Sequence, residues 1–157
     1  MELIKIDSAK YDDYRFSVIF DGYKWDPQFL DNHTVSKHIL VLSEAEHQLL
    51  KAYTIGLGLE TEAAEHVIHK NQHLVKHLVL PKKLRKDVLL MANYEKEKHI
   101  RLMRFDFHPT TDGFAISEVN SDVPGGFAEA SLMPQIALNT LKNPDSYYFQ
   151  SFGQTII

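Results

Sequence analysis

Apolar and polar side chains alternate most clearly in the segment at about 99–120. This period-two pattern is typical of half-buried strands, and its apolar members include Phe105, Phe107 and Val119. The two runs are separated by Thr-Thr-Asp-Gly at 110–113, a cluster of turn-forming residues. A three-residue loop at 111–113 suits a type I turn followed by glycine in the left-handed region. The pattern therefore predicts a β-hairpin.

The loop length predicts which residues of the hairpin oppose each other. With Asp112 at the centre of the loop, Asp106 faces Glu118 and Arg104 faces Asn120. Directly opposed residues share one face of the sheet. That face is expected to carry an arginine, two carboxylates and a carboxamide. The opposite, buried face is expected to consist of Met103, Phe105, Phe107, Ala115 and Val119.

The shared polar face has the composition of a magnesium and phosphate site. Two directly opposed carboxylates repel each other unless a cation lies between them. Asp106, Glu118 and Asn120 offer the oxygen ligands that Mg²⁺ prefers, and Arg104 beside them is suited to bind a phosphoryl oxygen. The alternative is a solvated acidic face, because hairpins with charged outer faces are common.

Other segments predict helices and short strands. The β-like runs are 3–6 and 16–20, and a capping box at 43–46 opens a long helix. Its apolar face comprises Leu49, Ala52, Gly56, Leu59, Ala63 and Val67. Gly56 and Gly58 favour a bend or break in its middle. A second helix opens at Leu80-Pro81, and a third starts near Gly126 and is interrupted at Pro134. We expect an α/β or α+β fold with helices packed on a small mixed sheet that contains the hairpin.

Three further features carry weaker chemical signals. Four histidines at helical spacing favour a solvated face over a zinc site; they are His66, His69, His73 and His77. The only tryptophan, Trp25, is interpreted as a packing anchor rather than a ligand-stacking platform. The glycines of 123–126 precede a helix start, which favours anions. For Glu129 in the first turn of that helix, a structural role is favoured over a substrate contact.

Composition narrows the functional classes. A chain of 157 residues is long enough for one domain with a core, so we expect a single domain over 1–157. The formal charge of −4 argues against nucleic acid or an anionic membrane as the main partner. The absence of cysteine excludes a disulfide scaffold and a thiol nucleophile. No signal-peptide core or membrane-spanning run is present, so a cytoplasmic location is expected.

The hairpin carries a composite motif. Arg104-Phe105-Asp106, eleven residues, and then Glu118-Val119-Asn120-Ser121-Asp122-Val123-Pro124 follow in order. This pattern resembles that of the glutathionylspermidine synthase-like, circularly permuted ATP-grasp ligases. The resemblance is strong over 101–130 and extends weakly upstream. Where that family commonly has threonine before the proline, this chain has Val123.

The resemblance implies site roles and cofactors. It places Arg104 near the transferred phosphate as the catalytic and ATP-contacting residue, and it gives Mg²⁺ to Asp106, Glu118 and Asn120. The acceptor-substrate side would be lined by the segment after the asparagine, namely Ser121, Asp122, Gly125 and Gly126. The implied reaction is ATP-dependent joining of a carboxylate and an amine through an acyl phosphate, with a small-molecule or peptide substrate.

In permuted members the nucleotide-binding half follows the segment seen here. We therefore expect the N-terminal portion of a longer ATP-grasp enzyme, inactive alone. The apolar end at 147–157 is interpreted as a chain cut within or just after a strand. A reading frame that continues past Ile157 would support this expectation. The absence of the other half would leave apolar surface exposed, so we expect the chain to form a homodimer. The alternative is a stand-alone, non-catalytic module or degenerate paralogue that binds a metal or a peptide.

Overall fold

The described part of the chain combines four α-helices with three two-stranded antiparallel sheets. The computed structural model describes residues 1–91, 95, 98 and 100–149. The helices are α1 (Tyr11–Phe20), α2 (Glu44–Lys70), α3 (Lys82–Leu90) and α4 (Phe127–Thr140). The strands are β1 (Glu2–Lys5), β2 (Gln28–Phe29), β3 (Asn32–His33), β4 (His38–Val41), β5 (Arg104–Thr110) and β6 (Gly113–Asn120). Short 3-10 helices occupy Gln72–Leu78 and Pro144–Ser146.

The described helices and small antiparallel sheets are compatible with the α+β alternative. The pairs are β1 with β4, β2 with β3, and β5 with β6, all antiparallel. The mixed sheet that the sequence predicts is not found in this part of the chain, since β5 and β6 pair only with each other. The hairpin is therefore a two-stranded ribbon of its own.

The chain divides into two compact units. The first unit contains Met1–Ser43 and the chain from Gly125 onward, and the second contains Glu44–Pro124. The predicted hairpin site lies in the second unit, except for its two glycines at 125 and 126. The single domain over 1–157 stays a prediction.

The first unit has a buried core between α1 and α4. Its fully or nearly buried members are Ile6, Tyr11, Tyr14, Val18 and Val35. The three α1 residues recur at helical spacing, and the Tyr11 hydroxyl donates a hydrogen bond of 2.8 Å to the Val35 carbonyl. The predicted strand at 16–20 is wrong, because these residues form the second half of α1. A short apolar run does not by itself distinguish a strand from a buried helix segment.

Helix α4 starts where the sequence predicts but is not interrupted. It follows Gly126, whose φ of +90° is one that glycine adopts without strain. The predicted break at Pro134 is wrong, since α4 runs on to Thr140. Met133 and Ile136, on either side of the proline, pack against the buried core. This packing holds the helix together where one backbone hydrogen bond is missing.

The second unit begins with the long helix α2, which starts one residue after Ser43 as predicted. No break occurs at Gly56 or Gly58, because α2 is continuous from Glu44 to Lys70. The predicted helix after Pro81 is confirmed as α3. Glu65 of α2 forms an ion pair with Arg101, which tethers the segment before β5 to that helix.

Three further sequence expectations concern a membrane-spanning segment, the tryptophan and the end of the chain. Among the helices of the described residues, none has the length and apolar character to cross a membrane. Trp25 is 84% exposed, so the prediction that it anchors a core is wrong. The predicted cut strand at 147–157 lies mostly outside the described residues, which end at residue 149.

Candidate functional site

The hairpin turn is tighter than the sequence predicts. Thr110 pairs with Gly113, which leaves a loop of only two residues, Thr111 and Asp112. The predicted three-residue loop is therefore wrong. The Thr110 hydroxyl donates to the Gly113 carbonyl at 3.0 Å and accepts from the Asp112 backbone N–H at 3.3 Å. Gly113 has a φ of +118°, a backbone conformation that favours glycine, as the sequence predicts.

A β-bulge restores the predicted pairing farther along the hairpin. Phe107 faces Ile116, but the next residue of β5, Asp106, faces Glu118. Ser117 is the extra residue, and its hydroxyl donates to the Asp106 carbonyl at 3.1 Å. The extra residue offsets the shorter loop. The predicted pairs of Asp106 with Glu118 and of Arg104 with Asn120 are confirmed.

The bulge also changes which residues face the apolar side. Between the bulge and the turn, Ile116 faces Phe107, while Ala115 faces His108. Opposed residues share a face and alternate along each strand. Ala115 thus lies on the polar face and is exposed, so the prediction that it is buried is wrong. Ile116 takes the apolar position instead, because the predicted alternation of faces holds only for the residues of β6 that follow Ser117.

The guanidinium of Arg104 binds both oxygens of Asp106. Its Nε lies 2.9 Å from Oδ1 and its Nη2 lies 3.1 Å from Oδ2, a bidentate arrangement along one strand. The two side chains are 41% and 37% exposed. Exposed ion pairs of this kind are screened by water, so the pair contributes orientation more than stability.

The Arg104–Asp106 pair shifts the pKa values of both side chains. The hydrogen bonds from Arg104 lower the pKa of Asp106 below its usual range; burial opposes the shift, and the charges of Arg104 and His108 reinforce it. The hydrogen bonds and charge of Asp106 raise the pKa of Arg104, and the charge of Glu118 adds to this effect. Asp106 is therefore ionised at neutral pH. The positive charge of Arg104 interacts with the carboxylates of both Asp106 and Glu118.

The remaining members of the polar face differ in their surroundings. Glu118 is exposed. The Asn120 Oδ1 atom is shielded from solvent and has no hydrogen-bond partner in the described part of the chain. Such an atom ordinarily finds a partner, and a bound cation is one kind. His108, two residues after Asp106, joins the same face. Sequence reasoning missed it, although the alternation along β5 places it there.

The donor set fits a magnesium ion that the resemblance implies. Asp106, Glu118 and Asn120 supply oxygen atoms only, and the unpartnered Asn120 Oδ1 is of the kind that Mg²⁺ accepts. Each oxygen of Asp106 accepts one hydrogen bond from Arg104 and keeps further lone-pair capacity. No cluster of three or more His, Asp or Glu side chains suited to a metal occurs among the described residues. A magnesium ion held here would therefore need the amide and further oxygens from substrate or water.

The predicted acceptor-side residues divide between the two units. Ser121 and Asp122 are exposed and follow β6 directly, whereas Gly125 and Gly126 belong to the first unit. Glu129, in the first turn of α4, lies 3.5 Å from the Lys24 ammonium, which also binds Asp26. This contact supports the predicted structural role of Glu129. Burial lowers the pKa of Lys24, but its hydrogen bond to Asp26 and the two carboxylate charges outweigh burial and raise it.

The histidine run does not share one helix. His66 and His69 lie in α2, while His73 and His77 lie in the following 3-10 helix. His66, His73 and His77 are exposed. The change of helix type at Asn71 breaks the spacing on which a zinc site would depend. The interpretation as a solvated face is favoured.

Comparison with known proteins adds no assignment to this geometry, because no protein-family model, curated protein or solved structure matches the chain.

Proposed function

We propose that this chain is the N-terminal part of an ATP-dependent carboxylate–amine ligase of the glutathionylspermidine synthase-like, circularly permuted ATP-grasp type. The observation that carries the proposal is the register of the hairpin, in which Asp106 faces Glu118 and Arg104 faces Asn120. The strand pairing brings to one face the same four residues that carry the motif. The ATP-grasp fold, the ATP and the Mg²⁺ belong to the proposal.

The proposed reaction has two steps. A carboxylate oxygen of the first substrate attacks the γ-phosphorus of ATP, so that an acyl phosphate forms and ADP leaves. The amine of the second substrate then attacks the acyl carbon, inorganic phosphate leaves, and the amine loses a proton as the amide forms. Such phosphoryl transfer depends on positioning and charge neutralisation more than on covalent help from the protein.

Each residue of the polar face has a part in this scheme. Arg104 stabilises the charge of the transferred phosphoryl group, because a guanidinium binds phosphate oxygens as it binds the carboxylate of Asp106. Asp106, Glu118 and Asn120 would hold Mg²⁺, which would supply positive charge to neutralise the phosphate groups. Ser121, Asp122, Gly125 and Gly126 line the acceptor side. The Arg104–Asp106 pair keeps the carboxylate ionised and aligned before substrate binds.

A second candidate is a non-catalytic module that binds a metal or a peptide. The observation that favours it is the same bidentate pair, since Arg104 already has a carboxylate partner in its own strand. In this alternative the acidic face serves as a docking surface, and the arginine has a structural role. The two candidates differ in whether Arg104 is needed for turnover.

Hydroxylamine trapping distinguishes the two candidates. The complete product of the gene is incubated with ATP, Mg²⁺, a panel of peptide and small carboxylates, and hydroxylamine, which converts acyl phosphates to hydroxamates. We expect ADP and hydroxamate in equal amounts, and a loss of about a hundredfold in kcat for Arg104→Lys and Glu118→Gln. Asp112→Asn, in the loop of the same hairpin, is the matched control and keeps its activity. ADP formation that is equal in all four proteins would contradict the ligase proposal.

A further inference from the structure

A cavity in the first unit has a lysine-rich lining. Its volume is about 520 Å³, and volumes of roughly 300–1,000 Å³ are typical of small-molecule sites. Lys5 comes from β1, Lys10 directly precedes α1, and Lys142 follows α4. Two stretches that are distant in sequence, 4–10 and 140–147, thus bring three lysines to one cavity. This arrangement is unusual on a chain whose formal charge is −4.

Asp7 is the one acidic residue among the described residues that line the cavity. Its Oδ1 accepts a hydrogen bond of 3.0 Å from the Ala9 backbone N–H, and its carbonyl accepts one of 2.9 Å from the Lys10 backbone N–H. The carboxylate is therefore engaged in fixing the turn that carries Lys10. Three lysines against one aspartate leave two net positive charges at the cavity.

The cavity lysines differ from Lys24, which has partners of opposite charge, and from Lys37, which lies over an aromatic ring. Lys24 lies between two carboxylates, and Lys37 lies 5.1 Å above the ring of Tyr11. Lys5, Lys10 and Lys142 form no ion pair with any carboxylate that the structure describes. Three lysines without a carboxylate partner at one cavity favour an anion of more than one charge, as a phosphate group is.

The rest of the lining suits an organic ligand that carries the phosphate. Asn143 also lines the cavity, and its side chain forms no capping hydrogen bond with the 3-10 helix that follows it. Ile4, Leu141 and Tyr147 supply an apolar surface on the same cavity. We propose that this cavity binds a small organic phosphate, with the phosphoryl group at the lysines and the apolar part against these three side chains.

The proposal is independent of the ligase proposal, because no member of the hairpin's polar face lines the cavity. Its test uses the 157-residue chain labelled with nitrogen-15 and titrated with phenyl phosphate at constant ionic strength. We expect saturable shifts of the backbone amide signals of Ser8, Lys10 and Asn143. Lys10→Gln and Lys142→Gln should each weaken binding by about tenfold, the loss of one charge-assisted contact. Lys83→Gln, on α3, is the matched control and should bind as the wild type does.

Two results would overturn the proposal. One is the absence of saturable shifts at these amides, and the other is equal affinity of the two cavity variants and the control. Inorganic phosphate provides a second comparison on the unaltered chain, which does not depend on the folding of any variant. Phenyl phosphate should bind more tightly and raise Tm more than inorganic phosphate at the same concentration. The reverse order would contradict the apolar part of the site.

Discussion

Asp106 and Glu118 lie directly opposite each other across β5 and β6, and the bulge at Ser117 makes them partners. Without the bulge, the two-residue loop would oppose Asp106 to Ser117. One carboxylate is held by Arg104, while the other is exposed to solvent. Like charges at opposed positions are destabilising in the absence of a cation. Arg104 supplies one positive charge here, since it pairs with Asp106 and also interacts with the charge of Glu118.

The pKa of Asp106 should rise when its partner is removed. In Arg104→Gln the hydrogen bonds that lower this pKa are lost, so we expect a value closer to the ordinary 3.8. A carbon-13 titration of the side-chain carboxyl signal measures the change. Lys83→Gln is the control, because that lysine lies on α3 away from the hairpin strands. An unchanged pKa in Arg104→Gln would contradict the ion pair.

The same pair predicts a pH dependence of stability. A carboxyl whose pKa is lower in the folded than in the unfolded chain stabilises the fold at pH values above its unfolded pKa. This contribution is lost as the pH falls through the lowered, folded value. The difference in unfolding free energy between wild type and Arg104→Gln should therefore be constant near neutral pH and shrink below about pH 3.8. Urea unfolding at several pH values measures it, and a difference that grows in acid would refute the assignment.

Gly113→Ala should weaken the hairpin. The residue has a φ of +118°, and a side chain there is strained although no described atom obstructs it. We expect the unfolding free energy to fall by about 1–3 kcal/mol. Urea unfolding, with cross-strand nuclear Overhauser contacts as the structural readout, checks this. A variant as stable as wild type would mean that the turn differs from the one described.

Gly22→Ala should destabilise the first unit by crowding. A Cβ at this position would lie 2.6 Å from the Val18 carbonyl oxygen and 3.2 Å from Cδ1 of Ile136. Relieving these contacts requires a shift of the backbone after α1 and of the Ile136 side chain, so we expect a loss of about 1–3 kcal/mol in unfolding free energy. Equal stability of the variant and the wild type would contradict the close packing of Gly22 on Ile136.

Gly56→Ala and Gly58→Ala should have the opposite effect. Both residues lie inside α2, and no described atom lies within 4 Å of the added Cβ. Alanine restricts the unfolded chain and favours the helix, so each change should stabilise by about 0.5–1 kcal/mol. These variants are also the matched controls for Gly22→Ala. Destabilisation by either would indicate that α2 is broken at these glycines, as the sequence alone suggests.

The polar face was predictable because two errors in the hairpin cancel. Residue propensities identified the turn and both strands, but they do not distinguish a three-residue loop from a two-residue loop followed by a bulge. The two alternatives give the same pairs for the residues that follow Ser117 in β6. They give different pairs for the residues that precede it. The residues of the polar face therefore lie together as predicted, whereas the predicted face of Ala115 is wrong.

Other errors have a tertiary origin. Residues 16–20 are rich in residues that favour strands, yet Tyr11, Tyr14 and Val18 form a helical face that packs in the core. Pro134 should end a helix, but packing of α4 holds it. Both outcomes depend on contacts between segments more than a hundred residues apart, and local patterns do not carry that information.

Manganese, a paramagnetic stand-in for Mg²⁺, tests the central claim most directly. Added in small amounts to the nitrogen-15-labelled chain, it should first broaden the amide signals of Arg104–Asp106 and Glu118–Asn120. Glu118→Gln should abolish this selective broadening, and Glu60→Gln, on α2, should leave it intact. If the signals around His66 or His73 broaden first while those of the hairpin stay sharp, then Asp106, Glu118 and Asn120 do not form a metal site.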